Sequence, residues 1–286
     1  FFFLMIKLFP LIFILLWSSA FITTKPIIDY SEPFTALSFR FALVALGFLF
    51  FSYFYKHKIF VSKKNLVESM LTGVLFHGFY LGGVFFSVSK GMPTGIAALI
   101  VTLQPILTNA LAGPLLNEKI GWNQWSGVIL GFMGATLVLG FDVGKDIPTI
   151  GVFASFVALF AITISTLWQK KLSNNIPLSV NNFYQALGGF LFHIIIIIFF
   201  VDPHINFSLT FIFAMSHQIL LVSFGAFTIL MYLIKHNSAS KTVSIFFLIP
   251  ATSAIFAWLF LNETLNSMDI LGFAIASAGV YIATRK

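Results

Sequence analysis

The chain contains no cysteine and few charged residues, which make up only 9% of its 286 residues. The absence of cysteine excludes disulfides, thiolate metal ligands and a cysteine nucleophile. A soluble globular domain carries about 25% charged and about 45–50% apolar residues, whereas 59% of this chain is hydrophobic. So large an apolar surplus cannot be buried inside a soluble fold of this length. We therefore expect a lipid bilayer to be the solvent.

Carboxylates are also absent from the middle of every long apolar run, because all nine stand near the ends of these runs. Pumps and ion-coupled transporters commonly use a buried Asp or Glu as an ion or proton relay, so coupling through a carboxylate is not expected. The chain lacks a Walker lysine motif, HExxH and GxSxG, and its histidines show no metal-ligand spacing. We therefore expect no enzymatic activity, cofactor or metal.

Long apolar runs are what the chain has in abundance. A helix needs about 20 apolar residues to cross the hydrocarbon core, and these runs are too long and too uniformly apolar for barrel strands. We predict an all-α membrane protein with ten transmembrane helices. The predicted helices cover residues 8–25, 34–55, 66–89, 94–116, 122–141, 147–169, 178–201, 208–234, 241–261 and 267–284.

The sixteen lysines and arginines predict the orientation of these helices. If the N-terminus is cytoplasmic, twelve of them fall at cytoplasmic helix ends, and only Lys25, Lys90 and Lys145 at the opposite ends. This bias follows the positive-inside rule, so we predict that both termini are cytoplasmic. Because the basic residues are spread through short connectors, the net charge of +7 does not indicate a nucleic-acid partner.

The chain resembles itself at an offset of 145 residues. The aligned pairs of rare residues are Lys25 and Lys170, Lys90 and Lys235, Pro105 and Pro250, and Glu118 and Glu263. Chance similarity between apolar helices would match Leu and Phe rather than these residue types. Each half holds five predicted helices, an odd number, so the second half must insert upside down. We predict two inverted five-helix repeats, at residues 1–144 and 145–286.

Several stretches resemble a known family. "LWSSAFITTK" at 16–25, followed by Pro33 and Arg40, resembles the start of EamA-type proteins of the drug/metabolite transporter superfamily. Residues 94–138 resemble the most recognisable part of the EamA repeat, with a proline inside a helix, a Glu at its end and then a Gly-rich helix. Residues 238–283 resemble it again. The resemblance implies a central cavity lined by the first, third and fourth helices of each half, and small metabolites, amino acids or drugs as substrates.

Polar side chains within the predicted helices are the candidates for this cavity. Arg40 lies about six residues into the second helix, where a charge is costly and indicates function, although it could instead extend to the outer interface. His77 stands near the middle of the third helix, with Tyr80 at the i+3 position of the same α-helical face. His77 could contact a substrate or make an ordinary hydrogen bond between helices. His193 is interpreted as a packed residue, and His217 is not placed.

Further cavity candidates are Trp17 and Ser18 on the first helix, Gln104 on the fourth and Trp168 on the sixth. Trp168 stands near the predicted interface, where tryptophan is common for other reasons. Pro105 and Pro250 predict kinks that free backbone carbonyls, in the first case beside Gln104. Such kinks could equally serve packing alone.

Two sets of residues are interpreted as structural. Small residues recur along the fifth and tenth helices and predict a helix-packing face; the glycines are Gly127, Gly131, Gly134, Gly272 and Gly279. Glu118 and Glu263 each follow a long apolar run, and we interpret them as markers of helix ends that are hydrogen-bonded to neighbouring backbone.

The function that follows is secondary transport, without ATP, of small neutral or zwitterionic metabolites such as amino acids, or of drug-like compounds. A single arginine does not suit a multiply charged phosphate. The alternatives are a proton-coupled antiporter that uses His77 and a non-transporting receptor or subunit. The partners expected are a small-molecule substrate and the lipid bilayer, in a bacterial inner membrane, and the sequence does not distinguish a monomer from a homodimer.

Overall fold

The computed structural model describes residues 2–92, 94–139, 147–172, 176–261 and 267–285. These residues form helices that we label α1 to α10. The helices are α1 Phe2–Tyr30, α2 Pro33–Phe54, α3 Lys63–Ser89, α4 in two pieces (Thr94–Val101 and Gln104–Leu116), α5 Trp122–Leu139, α6 Thr149–Leu172, α7 Leu178–Phe200, α8 Leu209–His236, α9 in three pieces (Ala239–Ser244, Ile245–Phe247 and Leu248–Leu261) and α10 Ser267–Thr284. In the described ranges the only strand-like pairing is an isolated bridge between Ser31 and Ile205. The prediction of an all-α protein is therefore confirmed.

Eight of these helices are long and apolar enough to cross a membrane. The two that fall short are α4 and α5. α4 is interrupted at 102–103, so neither of its pieces reaches the length of a span, and α5 opens with the polar residues Asn123 and Gln124. The described helices thus make an integral membrane protein, while the number of ten crossings stays a prediction.

Side-chain caps explain where several helices begin. Glu32 accepts hydrogen bonds from the backbone N–H groups of Phe34 and Thr35 at the start of α2, where Pro33 needs no N–H partner. Ser62, Ser208 and Ser238 cap the starts of α3, α8 and α9 in the same way. Caps of this kind satisfy the first N–H groups of a helix, which have no partner within it.

Two irregularities recur in both halves of the chain. α3 contains a π-helical segment at Val74–Leu81, and α8 contains one at Gln218–Ala226, about 145 residues further on. The break in α4 at 102–103 likewise corresponds to the 3-10 turn Ile245–Phe247 in α9. A uniform apolar helix gives no reason for such features to recur at one offset. They therefore fit the predicted two-repeat architecture.

The packing of the helices follows the same relationship. α1 packs on α8 and α9 of the other half, and correspondingly α6 packs on α3 and α4. α2 and α7 pack on each other, and so do α5 and α10. All ten of these helices therefore contribute to the contact between the halves.

The glycines of α5 and α10 bring these two helices into backbone contact. A Cβ atom added at Gly127 would lie 2.6 Å from the carbonyl oxygen of Gly279, and one added at Gly134 would lie 2.6 Å from that of Gly272. The pairing is antiparallel, as an inverted repeat requires. Gly131 instead makes room for the ring of Phe247 on α9. Only glycine permits so close an approach, and this is the small-residue packing known between membrane helices.

Candidate functional site

His77 lies at the point where α2, α3, α7 and α8 meet. Its ring centroid is 4.3 Å from that of Phe41 on α2 and 4.7 Å from that of Phe227 on α8. Gly189 on α7 permits this position, since a Cβ atom there would lie 2.5 Å from the Cβ of His77. The side chain is 3% exposed, and neither ring nitrogen has a hydrogen-bond partner. A polar group so placed is costly unless a ligand or water can satisfy it.

His193 also lies in this cluster but is bonded to the protein. Its Nε2 lies 3.0 Å from the carbonyl oxygen of His77, within the π-helical segment of α3. Its ring stacks on Phe41, with the centroids 6.0 Å apart. His193 therefore links α7 to α3, in line with its interpretation as a packed residue, whereas the His77 ring has no such bond.

Tyr80 does not share a face with His77 in the way that the sequence predicted. The i+3 argument assumes α-helical geometry, but Val74–Leu81 is π-helical, with a wider turn that changes the angle between side chains. Both residues instead contact the ring of Phe76 between them, each at a centroid distance of 5.3 Å.

Arg40 extends from α2 to α8, where its Nε donates to the hydroxyl oxygen of Ser223 at 2.9 Å. The guanidinium carbon lies 5.3 Å from the centroid of Phe41. The side chain is only 4% exposed, so it does not extend to an interface. Ser223 stands in the π-helical segment of α8. Arg40 and His77 thus share the Phe41 ring, with Arg40 bonded to the π-helical segment of α8 and His77 lying in that of α3.

Trp17 lies on the other side of Phe76, in an aromatic layer that both halves supply. Its ring is 6.1 Å from Phe76 on α3 and 6.1 Å from Phe246 on α9, and Phe13 lies one helical turn away at 5.2 Å. Beside it, Ser18 donates from its buried hydroxyl to the carbonyl oxygen of Ile249, at 3.3 Å. The predicted cavity residues Trp17, Ser18, Tyr80 and His77 therefore lie in one connected region.

Gln104 stands at a separate place, between α4 and α6. Its Nε2 donates to the hydroxyl oxygen of Thr166 at 3.1 Å, and its buried Oε1 has no partner. The interruption of α4 comes directly before Gln104 and Pro105, and the 3-10 turn of α9 comes shortly before Pro250. Gln104 aligns with Ile249 across the repeat, although its partner Thr166 lies three residues beyond Thr163, the residue that aligns with Ser18.

Trp168 is not brought together with the other candidates. It is half-buried and lines a groove of about 220 Å³ with Leu115, Ile164, Leu167 and Lys171. None of these residues belongs to the cluster around His77 and Trp17. Its neighbours are those of a tryptophan at the outer surface of the helices.

An amide network is the main feature that the sequence analysis missed. Gln169 on α6 accepts hydrogen bonds through its Oε1 from Asn181 at 3.1 Å and from Gln185 at 2.8 Å, both on α7. All three side chains are buried, and each retains one polar atom without a partner. Gln185 aligns with Arg40 across the repeat, and this was the only signal in the sequence that could have indicated the network.

His217 joins α8 to α1. Its Nε2 lies 3.0 Å from the hydroxyl oxygen of Ser19, and its Nδ1 lies 3.3 Å from that of Thr23. The next residue, Gln218, donates from Nε2 to the carbonyl oxygen of Ala20 at 2.9 Å. These bonds cross between the two halves, so His217 belongs to their contact.

Glu118 lies just beyond the end of α4 and caps the start of α9. Its carboxylate accepts hydrogen bonds from the backbone N–H groups of Ala239 at 2.7 Å and Ser240 at 3.3 Å. Lys170 donates nearby to the carbonyl oxygens of Ile234 at 3.0 Å and Asn237 at 2.6 Å, at the end of α8. The connection between α8 and α9 is thus held by one charge of each sign. Glu263 and the predicted domain boundary at 144–145 lie outside the described residues.

The described residues contain no group of three or more His, Asp or Glu side chains that could hold a metal ion. The buried polar side chains among the described residues are hydroxyls, amides and imidazoles, together with the guanidinium of Arg40. This arrangement can form hydrogen bonds with a small polar molecule.

Comparison with known proteins agrees with this architecture. The EamA-like transporter family matches the chain twice, at residues 4–140 and 149–285. A WAT1-related chloroplastic protein of Arabidopsis thaliana is 25% identical over 93% of this chain, which spans 66% of that protein's length. A probable amino-acid metabolite efflux pump of Salmonella typhimurium is 24% identical, in an alignment that covers 95% of this chain and 92% of the pump's length. An uncharacterized transporter of Bacillus subtilis is 23% identical, with coverages of 96% and 89%.

A solved crystal structure has the same fold. It superposes with a TM-score of 0.81 at 18% identity, and the superposition covers 98% of this chain and 97% of the other chain. The family and the relatives are described as transporters rather than enzymes. The two matches to the EamA-like transporter family together cover nearly the whole chain, one in each half. The chain therefore belongs to the EamA-like transporter family, within the drug/metabolite transporter superfamily.

Proposed function

We propose that this transporter exports small zwitterionic or neutral metabolites, with amino acids as the first class to test, by alternating access around a site between its two halves. The observation that carries the proposal is the state of His77, whose two ring nitrogens are buried without a partner where four helices meet. A substrate amine, carboxylate or hydroxyl would satisfy them. The Salmonella typhimurium relative, a probable amino-acid metabolite efflux pump, supports the substrate class and the direction.

We further propose the architecture that serves this function. Residues 1–144 and 145–286 form the two inverted five-helix halves, with ten crossings and both termini cytoplasmic in a bacterial inner membrane. α1 packs on the second half and α6 on the first, so the halves can rock against each other through these contacts. The π-helical segments of α3 and α8 lie within the same contact, and such segments are common at functional sites.

The proposal assigns unequal roles to the two buried histidines, which makes them a matched pair for a test. We expect His77→Ala to impair amino-acid transport in proteoliposomes much more than His193→Ala at equal protein levels. The reason is that His193 is bonded to the His77 carbonyl oxygen, whereas the ring nitrogens of His77 have no partner in the protein. An equal loss in both variants, or none in His77→Ala, would remove His77 from the site.

The described helices carry Asp and Glu only near their ends, and this leads to a prediction about energy coupling. We expect transport to continue down the substrate gradient without a proton or sodium gradient. Proteoliposomes loaded with labelled amino acids, with and without an imposed pH or sodium gradient, provide the measurement. Strict dependence on either gradient would refute the uncoupled mechanism.

Proton-coupled antiport through His77 is the second candidate function. The same observation supports it, because an unpartnered ring nitrogen can accept a proton. Coupling by this route predicts that His77→Ala loses the response to a pH gradient but keeps gradient-independent exchange. A non-transporting receptor predicts that no amino acid or drug crosses faster than in empty vesicles.

A further inference from the structure

Arg40 is a buried cation for which the described residues supply no anion. No Asp or Glu in the described ranges forms an ion pair with it, and its one hydrogen bond, from Nε, goes to the neutral hydroxyl of Ser223. A guanidinium carries five N–H donors and keeps its charge in proteins. Buried charges in proteins are normally paired, because an isolated ion loses its solvation. The helices thus hold one positive charge that no carboxylate among the described residues compensates.

The surroundings of Arg40 make the charge more conspicuous. The Phe41 ring lies 5.3 Å from the guanidinium carbon, and the same ring packs against His77 and His193. These neighbours are aromatic or imidazole groups, and none of them is anionic. Glu32, the acidic residue nearest in the chain, is already bonded to the N–H groups at the start of α2. The site therefore has one positive charge that no described carboxylate neutralises, in a largely aromatic enclosure.

We propose that Arg40 and His77 form the binding site for a single carboxylate of the transported substrate, an inference that rests on the proposed transport function. The planar guanidinium matches a carboxylate, to which it can donate two parallel hydrogen bonds. His77, whose ring packs on the same Phe41 side chain, contributes a further N–H donor. The rings of Phe41, Phe76 and Phe227 provide apolar walls for the rest of the molecule.

The count of charges selects the substrate class. One cation neutralises one carboxylate, whereas a phosphate of about two negative charges would keep an uncompensated charge in the membrane. The substrate is accordingly a monocarboxylate: a simple organic acid leaves the site neutral, whereas a zwitterionic amino acid also brings an ammonium group that needs its own acceptor. An amide or ester of the same molecule lacks the group that Arg40 binds.

The first test uses the wild-type protein alone. The purified transporter is titrated with the proteinogenic amino acids and with simple monocarboxylates, each beside its carboxamide, and binding is followed by the shift in thermal unfolding. We expect each acid that binds to do so about 10- to 100-fold more tightly than its amide, the range for hydrogen bonds to a charged group. Equal binding of acid and amide, or binding of uncharged solutes alone, overturns the proposal.

The second test uses three variants. Arg40→Gln removes the charge at similar length, Arg40→Lys keeps the charge without the planar fork, and Ser223→Ala removes only the partner within the protein. We expect Arg40→Gln to lose the preference for the acid, Arg40→Lys to keep part of it, and Ser223→Ala to keep it. If Ser223→Ala lost the preference for the acid as fully as Arg40→Gln, Arg40 would only join α2 to α8, and the proposed site would be refuted.

An alternative role for Arg40 gives a different result. A positive charge inside a transporter can act as a barrier against cations. In that case Arg40→Gln would raise proton leak into vesicles while the acid-to-amide ratio stayed unchanged, which contradicts the proposal. If Arg40→Gln does not fold, the comparison of acids with amides on the wild-type protein, together with Arg40→Lys, still decides whether Arg40 binds a carboxylate.

The failure of this inference is distinct from the failure of the transport function. A protein that transports amides as well as acids refutes the carboxylate site and leaves the transporter intact. A protein that binds acids through Arg40 but moves none of them refutes transport and leaves the site intact.

Discussion

Removing the carboxylate of Glu118 tests how the two halves are joined. Glu118 belongs to the first half, but its oxygens accept hydrogen bonds from two backbone N–H groups and the Ser240 hydroxyl at the start of α9 in the second half. Ser238 caps only the N–H of Lys241, so it cannot replace these bonds. In Glu118→Ala the first two N–H groups of α9 lose their partner.

The size of the effect follows from these contacts. Loss of an N-terminal cap costs about 1 kcal/mol, and loss of a partly buried charge at a helix terminus costs up to about 2 kcal/mol. We expect Glu118→Ala to lower the free energy of unfolding by about 2 kcal/mol and Glu118→Gln, which keeps one acceptor oxygen, by about half as much. At about 2–4 °C per kcal/mol, the alanine variant should unfold about 4–8 °C lower.

Thermal unfolding of the purified variants in one detergent and at one scan rate provides the measurement. Lys119→Gln is the matched control, since it changes an exposed neighbouring charge and should leave the unfolding temperature unchanged. A double-mutant cycle with Ser240→Ala isolates the bond to the Ser240 hydroxyl. The reasoning is refuted if Glu118→Ala and Lys119→Gln unfold at the same temperature.

Two further predictions concern packing and helix ends. Gly134→Leu should destabilise the protein by about 3 kcal/mol or more and lower the folded yield, because the leucine side chain would meet the backbone of α10. The control is Gly121→Leu, because a Cβ atom at Gly121 would have no neighbouring atom within 4 Å. Equal folded yields of the two variants would contradict the packing. Lys170→Met should lower the unfolding temperature more than Lys171→Met. The reason is that Lys170 donates hydrogen bonds to carbonyl oxygens at the end of α8, whereas Lys171 is exposed. The opposite order would show that these bonds do not stabilise the fold.

Much of the helical architecture could be predicted because the bilayer imposes it. Apolar run length and the 145-residue offset each reflect a constraint that acts along the chain. The glycines show where such reasoning stops. A row of small residues on α5 predicts a packing face, but only the fold shows that its partner is the corresponding row on α10.

The candidate site was only partly predictable. His77 and Arg40 attract notice as polar residues in apolar helices, but the sequence could not show that both touch the Phe41 ring. The relation of Tyr80 to His77 was misjudged, because a uniformly apolar helix contains no signal for a π-helical turn. The partners of Gln169 lie on another helix, so no local pattern announces them.

The sequence by itself determined the class of protein, the position of its helices and the repetition of its halves, because lipid requires long apolar segments and a repeat leaves rare residues at one offset. Only the tertiary structure decided which polar groups are satisfied. His193 is bonded and His77 is not, and Glu118 caps a helix of the opposite half, since these outcomes depend on atoms more than a hundred residues apart in the chain. The distinction between a packed residue and a candidate ligand therefore belongs to the fold.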